Sequence, residues 1–194
     1  MPITKLYIPA ALLLLVLSCP LWHVGQSLPM MGKGPVTDSC VSHARTLLLN
    51  ITDVLAQDLF NGTECSKRGV ELNMATDTPS VCAPKGSTCT GTTKAEFDQK
   101  SCLENIGEDL RHYYKFLAAH PKGLLELTVQ LRVLMENCFP WSLSTDLASK
   151  QAPTDSPSTF DERLSLCKVL KGFHVRTITI NRALGYMNSG EHTK

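Results

Sequence analysis

The stretch "CKVLKGFHVRTITINRALGYM", residues 167–187, decides the fold of this chain. Its centre, from Val175 to Ile180, has the run of β-branched residues that is typical of a strand. No turn residues follow this run, however, and the chain continues through Arg182 to Tyr186. The stretch is therefore either an edge strand or part of a long helix.

The spacing of the apolar residues favours the helix. On a wheel of about 100° per residue, one set of residues recurs at steps of three and four and predicts a core face. A second, partly apolar set has its centre on the opposite side of the wheel. The first set is Leu166, Leu170, Phe173, Thr177, Ile180, Leu184 and Met187, and the second is Val175, Ile178, Thr179, Arg182 and Tyr186.

Three other segments have helical periodicity, near residues 40–60, 94–119 and 123–138, and the last helix is expected near 161–188. About 33 residues separate the first and second helices, two or three separate the second and third, and about 21 separate the third and fourth. Two long crossover loops around one short connection are typical of an up-up-down-down four-helix bundle. Four cysteines in or beside the first loop indicate that disulfides crosslink this loop.

The outward face of the last helix must be covered, either by a loop of the chain or by another protein, since only one side of that helix lies on its own core. Arg182 is at the centre of this face, beside Ile178 and Tyr186. Inside its own fold this arginine would require a carboxylate partner. Projecting from the bundle among apolar and aromatic groups, it has the composition of an interface hot spot.

Residues 1–27 have the pattern of a secretory signal peptide. Lys5 is the only charged residue before the 12-residue apolar run 6–17, and small or polar residues follow at Gly25 and Ser27. Such a run spans about 18 Å as a helix, which is less than the ~30 Å core of a bilayer. We therefore predict a leader at 1–27, a single domain at 28–194, a secreted, extracellular protein and no membrane insertion of the mature chain.

Charge and cysteine content agree with secretion. Loss of Lys5 leaves 18 of the 19 Lys and Arg residues against 18 Asp and Glu, and this balance argues against nucleic acid as a partner. Loss of Cys19 leaves seven of the eight cysteines, so one is left over when the others pair. Glycosylation sequons begin at Asn50 and Asn61.

Neither an enzyme nor a cofactor is expected. The sequence lacks Cys-x-x-Cys, His-Glu-x-x-His, Gly-x-Ser-x-Gly and glycine-rich phosphate-loop motifs. Glu108 and His112 have the i, i+4 spacing of a metal pair, but a solvated surface pair is far more frequent at this spacing.

Two segments resemble a known family: "CLENIGEDLRHYY", residues 102–114, and "LCKVLKGFHVRTITINRALGYMN", residues 166–188. They are similar to the alpha subunits of the interleukin-12 family, and a source outside the mammals is expected. The resemblance implies an all-α, up-up-down-down long-chain four-helix cytokine bundle. It also implies pairing with a beta subunit built like a soluble cytokine receptor. The heterodimer then activates T and natural killer cells through a two-chain cell-surface receptor. The open alternative is a helical cytokine that acts alone or as a homodimer.

The resemblance also implies a partner site. In the family, an arginine on the fourth helix inserts into a pocket of the beta subunit and meets an acidic residue there. Arg182 occupies the matching position. The expected partner-binding residues are Arg182, Tyr186, Thr179, Ile178 and Arg176.

The disulfide pairing implied by the resemblance is Cys40–Cys89, Cys65–Cys167 and Cys82–Cys102, with Cys138 as the odd cysteine. Mammalian members have a further loop cysteine that bonds to the beta subunit. This chain has no cysteine between Cys82 and Cys89, where that residue would lie.

Overall fold

The computed structural model describes residues 36–57, 65–87, 96–120, 123–143 and 159–193. Within these ranges the chain forms five α-helices and no strand, which confirms the predicted all-α class. The helices are α1 (Asp38–Ala56), α2 (Thr78–Val81), α3 (Gln99–Ala119), α4 (Leu125–Cys138) and α5 (Phe160–Asn188). Short 3₁₀ turns lie at Cys65–Lys67, Pro140–Ser142 and Glu191–Thr193.

The stretch that resembled a strand lies wholly within α5. A capping box fixes the start of this helix: the Thr159 hydroxyl accepts the Glu162 N–H, and the Glu162 carboxylate accepts the Thr159 N–H. All seven residues of the predicted core stripe are buried. Burial of a continuous stripe outweighs the weak helix propensity of the β-branched residues, so the helical interpretation is confirmed.

The other predicted helices exist, with ends that differ by a few residues. Thr37 caps α1, and its helical residues end at Ala56, before the predicted end at residue 60. The second predicted helix, α3, begins only at Gln99, because the Asp98 side chain accepts the N–H of Ser101 and so caps it. Both helices begin where a side chain accepts a free N–H group of the first turn.

Helix α1 packs against both α4 and α5, and α3 packs against α4 and, less extensively, α5. Two side-chain bonds fix the relative direction of α1 and α5. Asn188 donates to Asp38 at 2.8 Å, and Asn181 donates to the carbonyl oxygen of Ala44 at 2.9 Å. The start of α1 therefore lies beside the end of α5, and these two helices run antiparallel.

Three disulfides join described residues. Two of them, Cys65–Cys167 and Cys82–Cys102, agree with the pairing that the resemblance implies. The third does not, because Cys40 is bonded to Cys138. The expected Cys40–Cys89 bond and the assignment of Cys138 as the odd cysteine are therefore wrong.

The packing of α1 on α4 explains this correction. Cys40 lies in the first turn of α1 and Cys138 is the last residue of α4, and their Cα atoms are 5.7 Å apart. That separation is typical of a disulfide. Cys89 lies outside the described residues, and it becomes the odd cysteine of residues 28–194 because the other six are paired with one another.

We expect peptide mapping of the purified, oxidised protein, without reduction, to recover Cys40 linked to Cys138. The double variant Cys40→Ser/Cys138→Ser should lose about 4–5 kcal/mol of unfolding free energy, since the bond closes a loop of 98 residues. Cys89→Ser is the control and should leave the unfolding free energy unchanged. Recovery of a peptide that joins Cys40 to Cys89 would contradict the structure.

Candidate partner-binding face

The outer face of α5 brings together four of the five predicted partner-binding residues. Ile178, Thr179 and Tyr186 are half-buried, and Arg182 is exposed. Val175, one turn before Thr179, is also exposed. The five side chains form one stripe on the side of α5 that points away from the core, and we call this stripe the outer face.

Arg182 is an exposed cation between partly buried neighbours. Ile178 lies one helical turn before it and Tyr186 one turn after it, so both flank its side chain. Among the residues that the structure describes, no carboxylate forms an ion pair with Arg182 and no acceptor binds its guanidinium. Within the described part of the chain, its charge is therefore left uncompensated.

Aromatic contacts hold Tyr186 in place. Its ring packs edge-on against Phe97 with centroids 5.2 Å apart, and the His192 ring lies 6.1 Å away. Phe97 also lines an open cavity of about 750 Å³ beside Leu103 and Trp141. Sequence reasoning missed this neighbourhood, because it placed Phe97 inside the second helix, whereas Phe97 lies in the irregular segment just before α3.

Arg176 is not part of the outer face, so its assignment as a partner-binding residue is wrong. Its side chain is only 3% exposed, and its Nε lies 3.1 Å from Oδ2 of Asp109, a fully buried residue of α3. Its Nη2 donates to the carbonyl oxygen of Asn73 at 2.8 Å. Arg176 is next to the core residue Thr177, so it lies at the edge of the core face of α5. There Asp109 provides its carboxylate partner.

Asp109 is the centre of a buried polar cluster. Its Oδ1 accepts from the Asn73 amide at 3.0 Å and from the Thr76 hydroxyl at 2.7 Å, and its Oδ2 accepts from the Thr78 hydroxyl. The Tyr113 hydroxyl accepts the backbone N–H of Asn73 at 3.3 Å, and burial raises the pKa of Tyr113 above its ordinary value. The cluster fixes the first crossover to α3 and α5.

Residues 69–74 of that crossover, which we call the strap, lie along one flank of α5. The Glu71 N–H donates to the carbonyl oxygen of Lys168 at 3.0 Å. The Glu71 carbonyl approaches so closely that a Cβ at position 172 would lie 1.7 Å from its oxygen, so only glycine fits there. The strap covers this flank, and the outer face beside it remains exposed.

The predicted glycosylation sites are outside the outer face or outside the described residues. Asn50 is half-buried in α1, and the hydroxyl of Thr52, the third residue of its sequon, donates to the carbonyl oxygen of Leu48 at 2.8 Å. Asn61 lies in the segment that is not described. Glycosylation at both positions stays a prediction.

The acidic residues of α3 do not converge on a metal site. Glu108, which has metal-pair spacing with His112, instead forms an ion pair with Arg111. Across the described ranges, no group of three or more His, Cys, Asp or Glu side chains is arranged to hold a metal ion.

The chain is similar in sequence to interleukin-12 subunit alpha of several mammals. The protein from Lama glama is 24% identical over 86% of this chain and 89% of its own length. The protein from Canis lupus familiaris is 23% identical over 93% and 98%, and the protein from Homo sapiens is 23% identical over 93% and 99%. No family model matches the chain. The similarity extends over most of the chain, well beyond the two helices that first indicated it.

We expect Arg176→Met to lower the free energy of unfolding by about 3–5 kcal/mol, because it leaves the carboxylate of Asp109 buried without its cation. The double variant Arg176→Met/Asp109→Asn should lose less than the sum of the two single variants. Chemical denaturation of the purified chain measures all three values. Arg182→Met on the same helix is the matched control and should change stability by no more than about 0.5 kcal/mol. Equal stability losses for the two arginine variants would contradict the buried role of Arg176.

Proposed function

We propose that this chain is the secreted alpha subunit of a heterodimeric interleukin-12-type cytokine, and that the outer face of α5 binds its beta subunit. The beta subunit is built like a soluble cytokine receptor, and the heterodimer acts on T and natural killer cells through a two-chain receptor. The observation that carries the proposal is Arg182, an exposed arginine with no carboxylate partner among the described residues. The similarity to interleukin-12 subunit alpha supports the same function.

The geometry of the outer face suits a buried ion pair between subunits. A guanidinium can donate two parallel hydrogen bonds to one carboxylate, which fixes the orientation of the partner as well as its charge. Once covered, Ile178 and Tyr186 exclude water from this contact on both sides, as the ring of neutral contacts around a hot spot does. Tyr186 is already held by Phe97, so binding orders few new side-chain torsions.

An up-up-down-down order of the four long helices is part of the proposal, and three contacts support it. The bond between Asp38 and Asn188 supports antiparallel α1 and α5. The Cys40–Cys138 disulfide supports antiparallel α1 and α4. The ring contact of Phe97 with Tyr186 brings the start of α3 near the end of α5. Together these contacts favour parallel α1 and α3, followed by α4 and α5 in the opposite direction.

Secretion is also part of the proposal. The leader at residues 1–27 lies outside the described residues, so it rests on its sequence pattern. Three disulfides support an oxidising compartment. None of the described helices combines the length and apolar content needed to cross a bilayer. We propose neither an enzymatic activity nor a cofactor.

Arg182→Ala should leave the bundle folded but weaken the heterodimer by about 30-fold to several thousand-fold, since truncating a desolvated interfacial arginine costs about 2–5 kcal/mol. Tyr186→Ala should weaken it less. Leu170→Ala, on the core face of the same helix, is the control and should destabilise the chain itself by about 2–5 kcal/mol. Co-expression with tagged beta subunits measures pairing, and thermal unfolding of the free chain measures stability.

Two results would reject the proposal. If Arg182→Ala lowered the melting temperature as much as Leu170→Ala and still co-purified with a beta subunit, Arg182 would be a structural residue. If the wild-type chain were secreted efficiently without any partner and signalled by itself, the chain would be a cytokine that acts alone or as a homodimer.

A further inference from the structure

The strap has one backbone edge bonded to the bundle and the other edge open. Residues 69–74 include no helix or turn. In an extended chain, the N–H and C=O of one residue point to the same side, and those of the next residue point to the other side. Both backbone groups of Glu71 face α5, and both of Asn73 are bonded to side chains of α3 and α5. The backbone groups of Leu72 therefore point away from the bundle, and no described residue hydrogen-bonds to them.

Apolar side chains stand at every second position along this open edge. Val70, Leu72 and Met74 are 47%, 37% and 87% exposed, whereas Asn73 between the last two is buried. An open backbone edge with exposed apolar residues at a spacing of two is the feature through which one chain adds a strand to another. Val175 of the outer face lies next to Arg176, which binds the strap, so the strap and the outer face are neighbouring surfaces.

Positive charge surrounds the strap. Lys67 and Arg68 precede it in the chain, and Lys168 and Lys171 lie on the adjoining turns of α5, where Lys171 binds the carbonyl oxygen of Arg68. Glu71 is the only acidic residue between positions 65 and 74. Arg68 and Lys168 outnumber the single carboxylate of Glu71 along this segment, so charge complementarity favours an acidic partner at this place.

We propose that the strap is a second docking element, and that an extended edge strand of the beta subunit, with acidic and apolar side chains, binds along it. The incoming strand exchanges backbone hydrogen bonds with Leu72, covers the apolar side chains on either side of it, and places carboxylates near Arg68 and Lys168. This inference rests on the proposed function, because it assigns a second contact to the same partner. It makes Arg176 a positioning residue, which holds the strap through Asn73 and does not itself touch the partner.

Hydrogen exchange of the purified heterodimer tests the backbone contact. We expect the amides of Leu72 and Met74 to exchange at least about tenfold more slowly in the complex than in the free chain. The amides of Glu71 and Asn73, already bonded within the chain, should change less. Coverage of the side chains alone would leave the Leu72 and Met74 amides without acceptors, so it would slow their exchange much less than an added strand does.

Charge-reversal variants test whether the partner strand has acidic side chains near Arg68 and Lys168. Arg68→Glu and Lys168→Glu should each weaken pairing about tenfold at low ionic strength and by less at high salt. Arg132→Glu on α4 makes the same change of charge on a helix that does not border the strap, and it should leave pairing within about twofold of wild type. The tagged beta subunit that pairs with the wild-type chain is the probe throughout.

The outcomes separate this inference from the function on which it rests. If the wild-type chain pairs but the Leu72 amide exchanges at its free-chain rate, the strap does not bind a strand of the beta subunit. The outer face is then the one proposed contact. If Arg68→Glu and Lys168→Glu pair like wild type, the assignment of acidic side chains to the partner strand is wrong. If the wild-type chain pairs with no beta subunit, the proposed function fails, and the inference fails with it.

Discussion

The ion pair between Asp109 and Arg176 is the contact on which the path of the first crossover depends. A buried ion pair is stable only when the remaining bonding capacity of its charges is used, because the desolvation of both ions is expensive. Here the crossover supplies four bonds: three to Asp109 from Asn73, Thr76 and Thr78, and one that the carbonyl oxygen of Asn73 accepts from Arg176. Without the crossover, the charges of α3 and α5 would be buried with too few hydrogen bonds. Without the ion pair, the crossover would lose its buried polar anchor between the two disulfides. Helices and loop are therefore stabilised together.

This arrangement determines how much of α5 remains exposed. On one flank the strap lies against Lys168, Gly172 and Arg176, which are at successive turns. On the other flank α1 makes contact, through the bond of Asn181 to the carbonyl of Ala44. Among the described residues, nothing but the outer face is left between these two flanks. Arg176 and Arg182 are six residues apart on one helix, yet one is buried and the other is exposed, because Arg176 lies on the flank where Asp109 provides a carboxylate.

Periodicity alone predicted α5 and its core face, since burial of a 3.6-residue stripe depends only on spacing along one helix. The contact between Arg176 and Asp109 could not be predicted in this way, because it joins two helices 67 positions apart in the sequence. The position of Arg176 at the edge of the core stripe was the available signal. The Cys40–Cys138 bond was missed for the same reason: it follows from the packing of α1 on α4, and cysteine spacing contains no information about which helices are neighbours. Phe97 likewise reaches Tyr186 only because α3 starts near the end of α5.

The sequence separations of the disulfides have a consequence for biosynthesis. Cys82 and Cys102 are 20 residues apart, so in the secretion that we propose they can pair soon after both enter the oxidising compartment. Cys40 and Cys65 must wait for partners made 98 and 102 residues later. At a synthesis rate of about 5–20 residues per second, each stays reduced or wrongly paired for at least roughly 5–20 s. During this interval the two thiols are open to oxidoreductases and to one another. The last helix to be translated thus completes the oxidation of the first crossover, through Cys167 and Cys65. The oxidative machinery can distinguish a finished chain from an unfinished one by whether Cys65 is still reactive.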